Sequence, residues 1–216
     1  MDIIEAIQSR NSVRQYTNQK IEAEKRQKLN ELCSELNRES GLNIQIIYDE
    51  PKCFSGIMAH YGKFSGVENY IAIVGPKGKN LDELSGYYGQ KLVLKAQEIG
   101  LNTCWVAMTH GKSKAVIEKG QKQSILISLG YGANQGVKHK SKNVSELAVI
   151  SKDDPKWYLD GVNAALLAPT AMNQQKFKIE RVGENAKITA LNAMLAKFDL
   201  GIVKCNFEVA SGHKTV

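Results

Sequence analysis

Residues 10–16, Arg10-Asn11-Ser12-Val13-Arg14-Gln15-Tyr16, place two guanidiniums and a hydroxyl at every second position. In extended backbone, residues i, i+2 and i+4 point to one side. Arg10, Ser12 and Arg14 are therefore expected to project together as a cationic, hydrogen-bonding comb. Two rigid forks of N–H donors with a hydroxyl between them suit a phosphate or an anionic ring edge. Taken alone, the same residues also describe a solvated basic connector.

A second polar constellation stands near the other end of the chain. Ala168-Pro169-Thr170-Ala171-Met172-Asn173-Gln174-Gln175-Lys176-Phe177 reads as a loop between a helix and a strand. Its Asn and Gln side chains carry donors and acceptors that fit the edge of a heteroaromatic ring, and Pro169 stiffens its entry. An ordinary connector, with Asn and Gln satisfying nearby backbone, has the same composition. Between His110 and Lys142 lie seven lysines (112, 114, 119, 122, 138, 140 and 142) against one acid, Glu118, which accounts for most of the chain's net charge of +7. Such an excess marks an anion site or a solvated face. No aromatics interleave with these lysines and no helix-turn-helix, finger or RNP pattern accompanies them, which argues against a nucleic-acid surface.

Other chemistries find no support. The four cysteines and four histidines are scattered, with no pair at metal-ligand spacing and no C-x-x-C, so neither a metal site nor a disulfide framework is expected. No Ser-His-Asp, Cys-His or paired-carboxylate arrangement is evident. The N-terminus lacks the basic and apolar regions of a signal peptide, and no stretch has the length of a membrane span. A cytoplasmic protein with free thiols is the expectation. At 216 residues, 43% hydrophobic and 24% charged, the chain can bury a substantial core.

The elements that must carry these groups are legible from periodicity. A short helix bears Ile3, Ile4 and Ile7, and the comb follows it. A helix over about 22–36 carries Leu29, Leu32, Cys33 and Leu36 on one face and stops at Gly41. Strands are expected at 44–48 and 70–74, with a loop-rich excursion over 51–69 between them. A long helix covers about 81–99; the cost of Gly86 and Gly89 inside it suggests close approach of another backbone or a ligand. Strands then fall at 103–108 and 124–129, separated by a lysine-rich helix near 112–119. Asp154-Pro155 starts a further helix, with Asp as N-cap and Pro at the first position. That helix ends at Ala168-Pro169. Phe177–Val182 reads as a strand, Gly183-Glu184-Asn185 as a turn, and the tail from about 189 to 212 as helical with a break near Asp199. Alternating strands and helices imply a layered α+β or α/β domain.

Taken in order, R-x-S-x-R-x-Y after the first helix, Gly86-Tyr87-Tyr88-Gly89 through Glu98-Ile99-Gly100-Leu101, Leu129-Gly130-Tyr131-Gly132 before a basic loop, Val144-Ser145-Glu146-Leu147, and A-P-[ST]-x-x-N-x-Q at 168–175 resemble the FMN-dependent nitroreductase family. The resemblance implies an α+β, nitroreductase-like fold with a central mixed β-sheet flanked by helices. One feature departs from that family. Its Asn/Gln loop usually follows the second helix, where this chain has residues 37–43 without the motif. Segments 86–100 and 198–212 are both fifteen residues long with glycine in the fourth and last places. The order helix, polar loop, strand, helix over 155–212 also echoes 22–100. The C-terminal third thus resembles a degenerate second half-copy: one nitroreductase-like domain over 1–216, with lobe 1–150 holding the main FMN-binding elements and lobe 151–216 completing the site. A chain that completes its own site need not dimerise.

By this resemblance, Arg10 and Ser12 would hold the phosphate and ribityl end of FMN, and Arg14 the N1/O2 edge of the ring. Cys104 and Trp105, on a buried strand, would lie near N5 through backbone N–H groups, with Cys104 a small core residue rather than a reactive thiol. Lys140 and Lys142 are the candidates for the phosphate, and Pro169, Thr170 and Asn173 would approach the ring. No side chain is assigned as catalytic, since the flavin carries the chemistry. The resemblance implies an enzyme passing reducing equivalents from NAD(P)H to a nitroaromatic, quinone or similar flat acceptor in a ping-pong cycle. A flavin-binding or sensing protein without vigorous turnover is the alternative, and a basic nucleic-acid-binding domain a more distant one.

Overall fold

The computed structural model describes residues 1–216. In chain order the helices are α1 (Ile3–Ser9), α2 (Ala23–Ser40), α3 (Ile57–Tyr61), α4 (Leu81–Glu98), α5 (Val144–Leu147), α6 (Lys156–Ala165) and α7 (Ala196–Ser211). The strands are β1 (Asn43–Ile47), β2 (Asn69–Pro76), β3 (Asn102–Val106), β4 (Gln121–Gly130), β5 (Phe177–Val182) and β6 (Asn185–Ala190). They divide between two compact units, one of Arg10–Leu81 with Leu92–Lys138, the other of Met1–Ser9, Asp82–Lys91 and His139–Val216.

The first unit is built on a four-stranded sheet of order β1-β2-β4-β3, with every neighbouring pair antiparallel. A parallel bridge from Ser12 to Thr103 extends pairing beyond β3. β2 is central and buried along its length up to Gly75, which is why it reads as an uninterrupted apolar run. Against it pack Val13, Tyr16, Phe54, Phe64, Val67 and Cys104, all in one buried cluster. α2 forms where Leu29, Cys33 and Leu36 recur on one face and are buried, while Glu24 and Lys28 pair one turn apart outside. Gly41, at φ 68°, closes it in the left-handed conformation that glycine adopts freely. Asn37 in its last turn then accepts from Ile44 N (2.7 Å) and donates to Ile44 O (2.9 Å), covering the outer edge of β1.

The second unit holds the β5–β6 hairpin, α1, α6, α7 and residues 82–91 of α4. Here α4 and α7 approach closely enough that a Cβ on Gly86 would overlap Phe198 O and lie 3.1 Å from Ile202 N. A Cβ on Gly201 would overlap Glu83 O and lie 2.6 Å from Tyr87 N. Of the backbone or ligand expected close to Gly86, the structure shows the backbone of α7. Around the crossing, Gln90 Nε2 donates to Asn206 Oδ1 (2.9 Å), Tyr87 Oη to Glu208 (2.8 Å) and Lys204 to Glu83 (2.7 Å).

Three expectations from the sequence are corrected. Residues 112–118 form no regular element, and 119–120 a turn, rather than a helix: Val116 N donates to Gln45 Oε1 and Gln45 Nε2 returns to Val116 O, both at 2.8 Å. The segment has no apolar stripe to bury as a helix, and side chains satisfy its backbone instead, Gln45 at Val116, Tyr70 Oη at Lys114 N (2.8 Å) and Gln121 Oε1 at Glu118 N (3.2 Å). Asp154 does not cap α6; its carboxylate accepts from Ser151 N (2.7 Å) and from Arg181 (2.8 Å), leaving Pro155 at the cap position. The tail is not helical from 189 with a break at Asp199. β6 occupies 185–190 and α7 runs unbroken through Asp199, because the alternation of Ala186 and Ile188, both buried, makes a hairpin with β5.

Candidate functional site

The comb lies along β3. Val13 N donates to Thr103 O (3.0 Å), Ser65 N to Arg14 O (3.0 Å) and Tyr16 N to Ser65 O (3.0 Å), which hold residues 12–16 extended. Val13 and Tyr16 point into the core, where Tyr16 Oη donates to Val13 O (2.7 Å) and lies 2.8 Å from Ser128 Oγ. From above, Gly136, at φ 69°, rests on the segment so closely that a Cβ there would come 2.6 Å from Ser12 O. Asn11 Nδ2 donates to Gln135 O (3.1 Å). The backbone of the comb is thus clamped on both sides.

Ser12 is bridged to Thr103, next to Cys104 on β3, and the Arg14, Ser12 and Arg10 side chains all bear on the Cys104 thiol. Each favours the thiolate, yet burial outweighs them and pushes the thiol up, so Cys104, only 2% exposed, is a neutral core residue. Trp105 beside it is half-buried and pairs with Ile127. Along the comb, Arg10 is buried, Ser12 half-buried and Arg14 exposed, its guanidinium 6.0 Å from the Phe64 ring centroid.

Arg10 is the telling member. It is 4% exposed, and no acidic side chain or hydrogen-bond acceptor of the protein pairs with its guanidinium. Desolvation by burial holds it down at about 10 despite the nearby Cys104. A buried guanidinium is ordinarily paired; here five N–H donors have no anion from the protein itself. An external phosphate fits that donor set.

The second constellation belongs to the other unit and is tightly wired. Met172 (φ 51°), Asn173 (54°) and Gln175 (47°) are all left-handed, a conformation that non-glycine residues adopt at a cost and that clusters at ligand sites. Gln175, 2% exposed, is the hub. Its N donates to Thr170 Oγ1 (3.0 Å), its Nε2 to Lys140 O (3.0 Å), and its Oε1 accepts from Lys142 N (2.8 Å). Asn173 Nδ2 also donates to Lys140 O (2.8 Å). Lys142 Nζ donates to the carbonyls of Gln174 (2.8 Å) and Gln175 (3.3 Å), so its ammonium ties the loop. The exposed Lys140 side chain has no such engagement. Pro169 is buried, Thr170 half-buried and Asn173 exposed.

Two residues to which the resemblance gave no role complete this loop. Gln175 is the closing glutamine of the A-P-[ST]-x-x-N-x-Q motif. Asp199, 4% exposed, accepts from Ala171 N (2.8 Å) and from Gln174 Nε2 (2.6 Å). Its signal in the sequence was a single acid within Phe198-Asp199-Leu200-Gly201-Ile202-Val203. Burial pushes its carboxyl up, and the two hydrogen bonds counter that only in part.

The sheet order, the helices and the clamped comb define an α+β protein of nitroreductase-like fold. A family model described as "Putative TM nitroreductase" matches residues 2–211. The chain belongs to this nitroreductase family. Among solved structures, it is similar to a "putative nitroreductase" from Thermotoga maritima, with 20% identity, a TM-score of 0.70, and coverage of 99% of this chain and 87% of that one. It is also similar to a "putative nitroreductase" solved in complex with FMN from Desulfovibrio desulfuricans, with 17% identity, a TM-score of 0.56, and coverage of 72% of this chain and 99% of that one. A third, a nitroreductase-like protein from Streptococcus mutans, has 12% identity, a TM-score of 0.57, and coverage of 69% and 97%. At these identities the likeness is one of fold. No curated protein matches the sequence. No helix is long and apolar enough to cross a membrane.

Proposed function

We propose that this chain is an FMN-dependent oxidoreductase, passing reducing equivalents from NAD(P)H to a nitroaromatic, quinone or similar flat acceptor in the cytoplasm. The observation that carries the reading is Arg10, a buried guanidinium without an anion of its own, in a comb shared with Ser12 and Arg14. When bound, FMN supplies hydride chemistry, with donor and acceptor served in separate half-reactions of a ping-pong cycle.

The chain's own residues bind and orient. Arg10 and Ser12 would hold the phosphate and ribityl end, where charge-assisted bonds offset the desolvation of Arg10. Arg14 would place a cation at the N1/O2 edge, stabilising negative charge that develops there. Cys104 and Trp105 would present backbone at the ring, the thiol staying neutral. Lys140 is the free ammonium for the phosphate, Lys142 serving as the loop's tie. Pro169, Thr170 and Asn173 would contribute the rigid polar loop.

We further propose one FMN per chain, with the C-terminal segment a shrunken second copy of the first. Its support is the recurrence of α2, β1, β2, α4 as α6, β5, β6, α7, each with an antiparallel strand pair between its helices.

Titration of apoprotein with FMN, followed by anaerobic addition of NADH or NADPH, tests the function. Saturation at one FMN per chain and bleaching of the flavin absorbance are expected. No saturable binding refutes the reading. Binding without reduction by either nucleotide refutes the reductase and leaves a flavin-binding protein without turnover.

A further inference from the structure

We propose that Asp199 is the positioning residue of the 169–175 loop, its two carboxylate oxygens bracketing the left-handed pair Met172–Asn173 and holding it in the shape that serves the cofactor. The inference rests on the function proposed above. Oδ1 accepts from Ala171 N, just before the pair, and Oδ2 from Gln174 Nε2, just after it. Both bonds go to the one loop. No lysine, arginine or histidine pairs with the carboxylate, although it is 4% exposed.

A residue that only filled this place in α7 would be apolar. A buried carboxylate without a cation is unfavourable unless its N–H partners require it. The requirement lies in the loop. Met172, Asn173 and Gln175 sit in backbone conformations that L residues leave when free. Gln174 is held at a second point by Met194 O (2.9 Å), which keeps its amide turned toward Asp199. Asp199 therefore acts through the loop, and its contribution is to cofactor binding rather than to the stability of α7.

The test compares Asp199→Ala, Asp199→Asn and Gln174→Leu with the unaltered chain. Three quantities are read: FMN affinity, the visible spectrum of bound FMN, and the melting midpoint of apoprotein. Loss of bonds to a charged group predicts FMN binding weakened by about tenfold or more in Asp199→Ala, with a shifted flavin spectrum and an apoprotein midpoint that does not fall. Asp199→Asn retains an acceptor for Ala171 N and should lose less. Unchanged affinity and spectrum in both Asp199→Ala and Gln174→Leu would overturn the proposal. So would an apoprotein midpoint that falls in step with affinity, which is the signature of a structural role. If Asp199→Ala does not fold, Gln174→Leu decides by the same criteria. An unaltered chain that binds no FMN refutes the function itself. Normal FMN binding by the unaltered chain and the variants alike refutes only the role of Asp199.

Discussion

Replacing Arg10 by methionine should move stability and cofactor affinity in opposite directions. Held at about 10 by burial rather than at its ordinary value above 12, the guanidinium is charged at pH 7 at a cost of about 3 kcal/mol. Methionine has a similar length, no charge, and enough flexibility to fill the space. Removing an unpaired buried ion while conserving volume stabilises by about 1–4 kcal/mol. After allowance for imperfect repacking, we expect a gain of about 2 kcal/mol in the apoprotein, or a rise of about 4–8 °C in melting midpoint for a chain of this length. The sign with pH is defined. The folded value lies below the unfolded one, so the penalty is complete below about 10 and relieved only as pH rises past it. A measurement at pH 7 captures it in full. FMN affinity should fall by about tenfold to a hundredfold, the worth of a charge-assisted contact of 1.5–3 kcal/mol. Calorimetry of apoprotein and a fluorescence titration suffice. A variant less stable than the parent, with FMN affinity unchanged, would refute the reasoning on both counts.

Three further outcomes are expected. Gly201→Val should lower the melting midpoint by about 5 °C or more, since overpacking costs about 1–3 kcal/mol and its Cβ meets backbone of α4 that cannot rotate away; a midpoint within a degree of the parent would contradict the α4–α7 contact. Asp49, held down at about 2 first by Arg26 and then by Lys20, contributes stability that is present above its unfolded value and lost as pH falls toward about 2; Asp49→Asn should flatten that part of an acid-unfolding curve, and an unchanged curve would show the ion pairs to be inert. A chain ending at residue 150 should aggregate and lose FMN, because it uncovers Gly86 and Gln90, which α7 covers; a monodisperse, FMN-binding fragment would show the C-terminal segment to be dispensable.

Local chemistry determined much of this protein. Arg10, Ser12 and Arg14 share a side because extended backbone has a period of two, and no tertiary information is needed to see it. The α2 face, its stop at Gly41 and the buried run of β2 follow equally from periodicity and from glycine's freedom at positive φ. Gly86 and Gly89 inside α4 announced the close approach of another backbone or a ligand. Only the tertiary structure could say that α7 makes it, since partners distant in sequence leave no local signal.

The errors have the same origin. Residues 112–119 have acceptable helix propensity, but side chains of Gln45, Tyr70 and Gln121 claim backbone groups there. Asp154 has the chemistry of an N-cap and is instead engaged by Ser151 and Arg181. Short alternation at 185–190 was hidden beside a long apolar helix. At the site, the sequence by itself supplied which groups could bind an anion and a ring edge. That Arg10 is buried without an anion of its own, and that Asp199 accepts hydrogen bonds from Ala171 N and Gln174 Nε2 of the 169–175 loop, depends on desolvation and on contacts across the chain. Both are properties of the folded arrangement that no spacing of residues encodes.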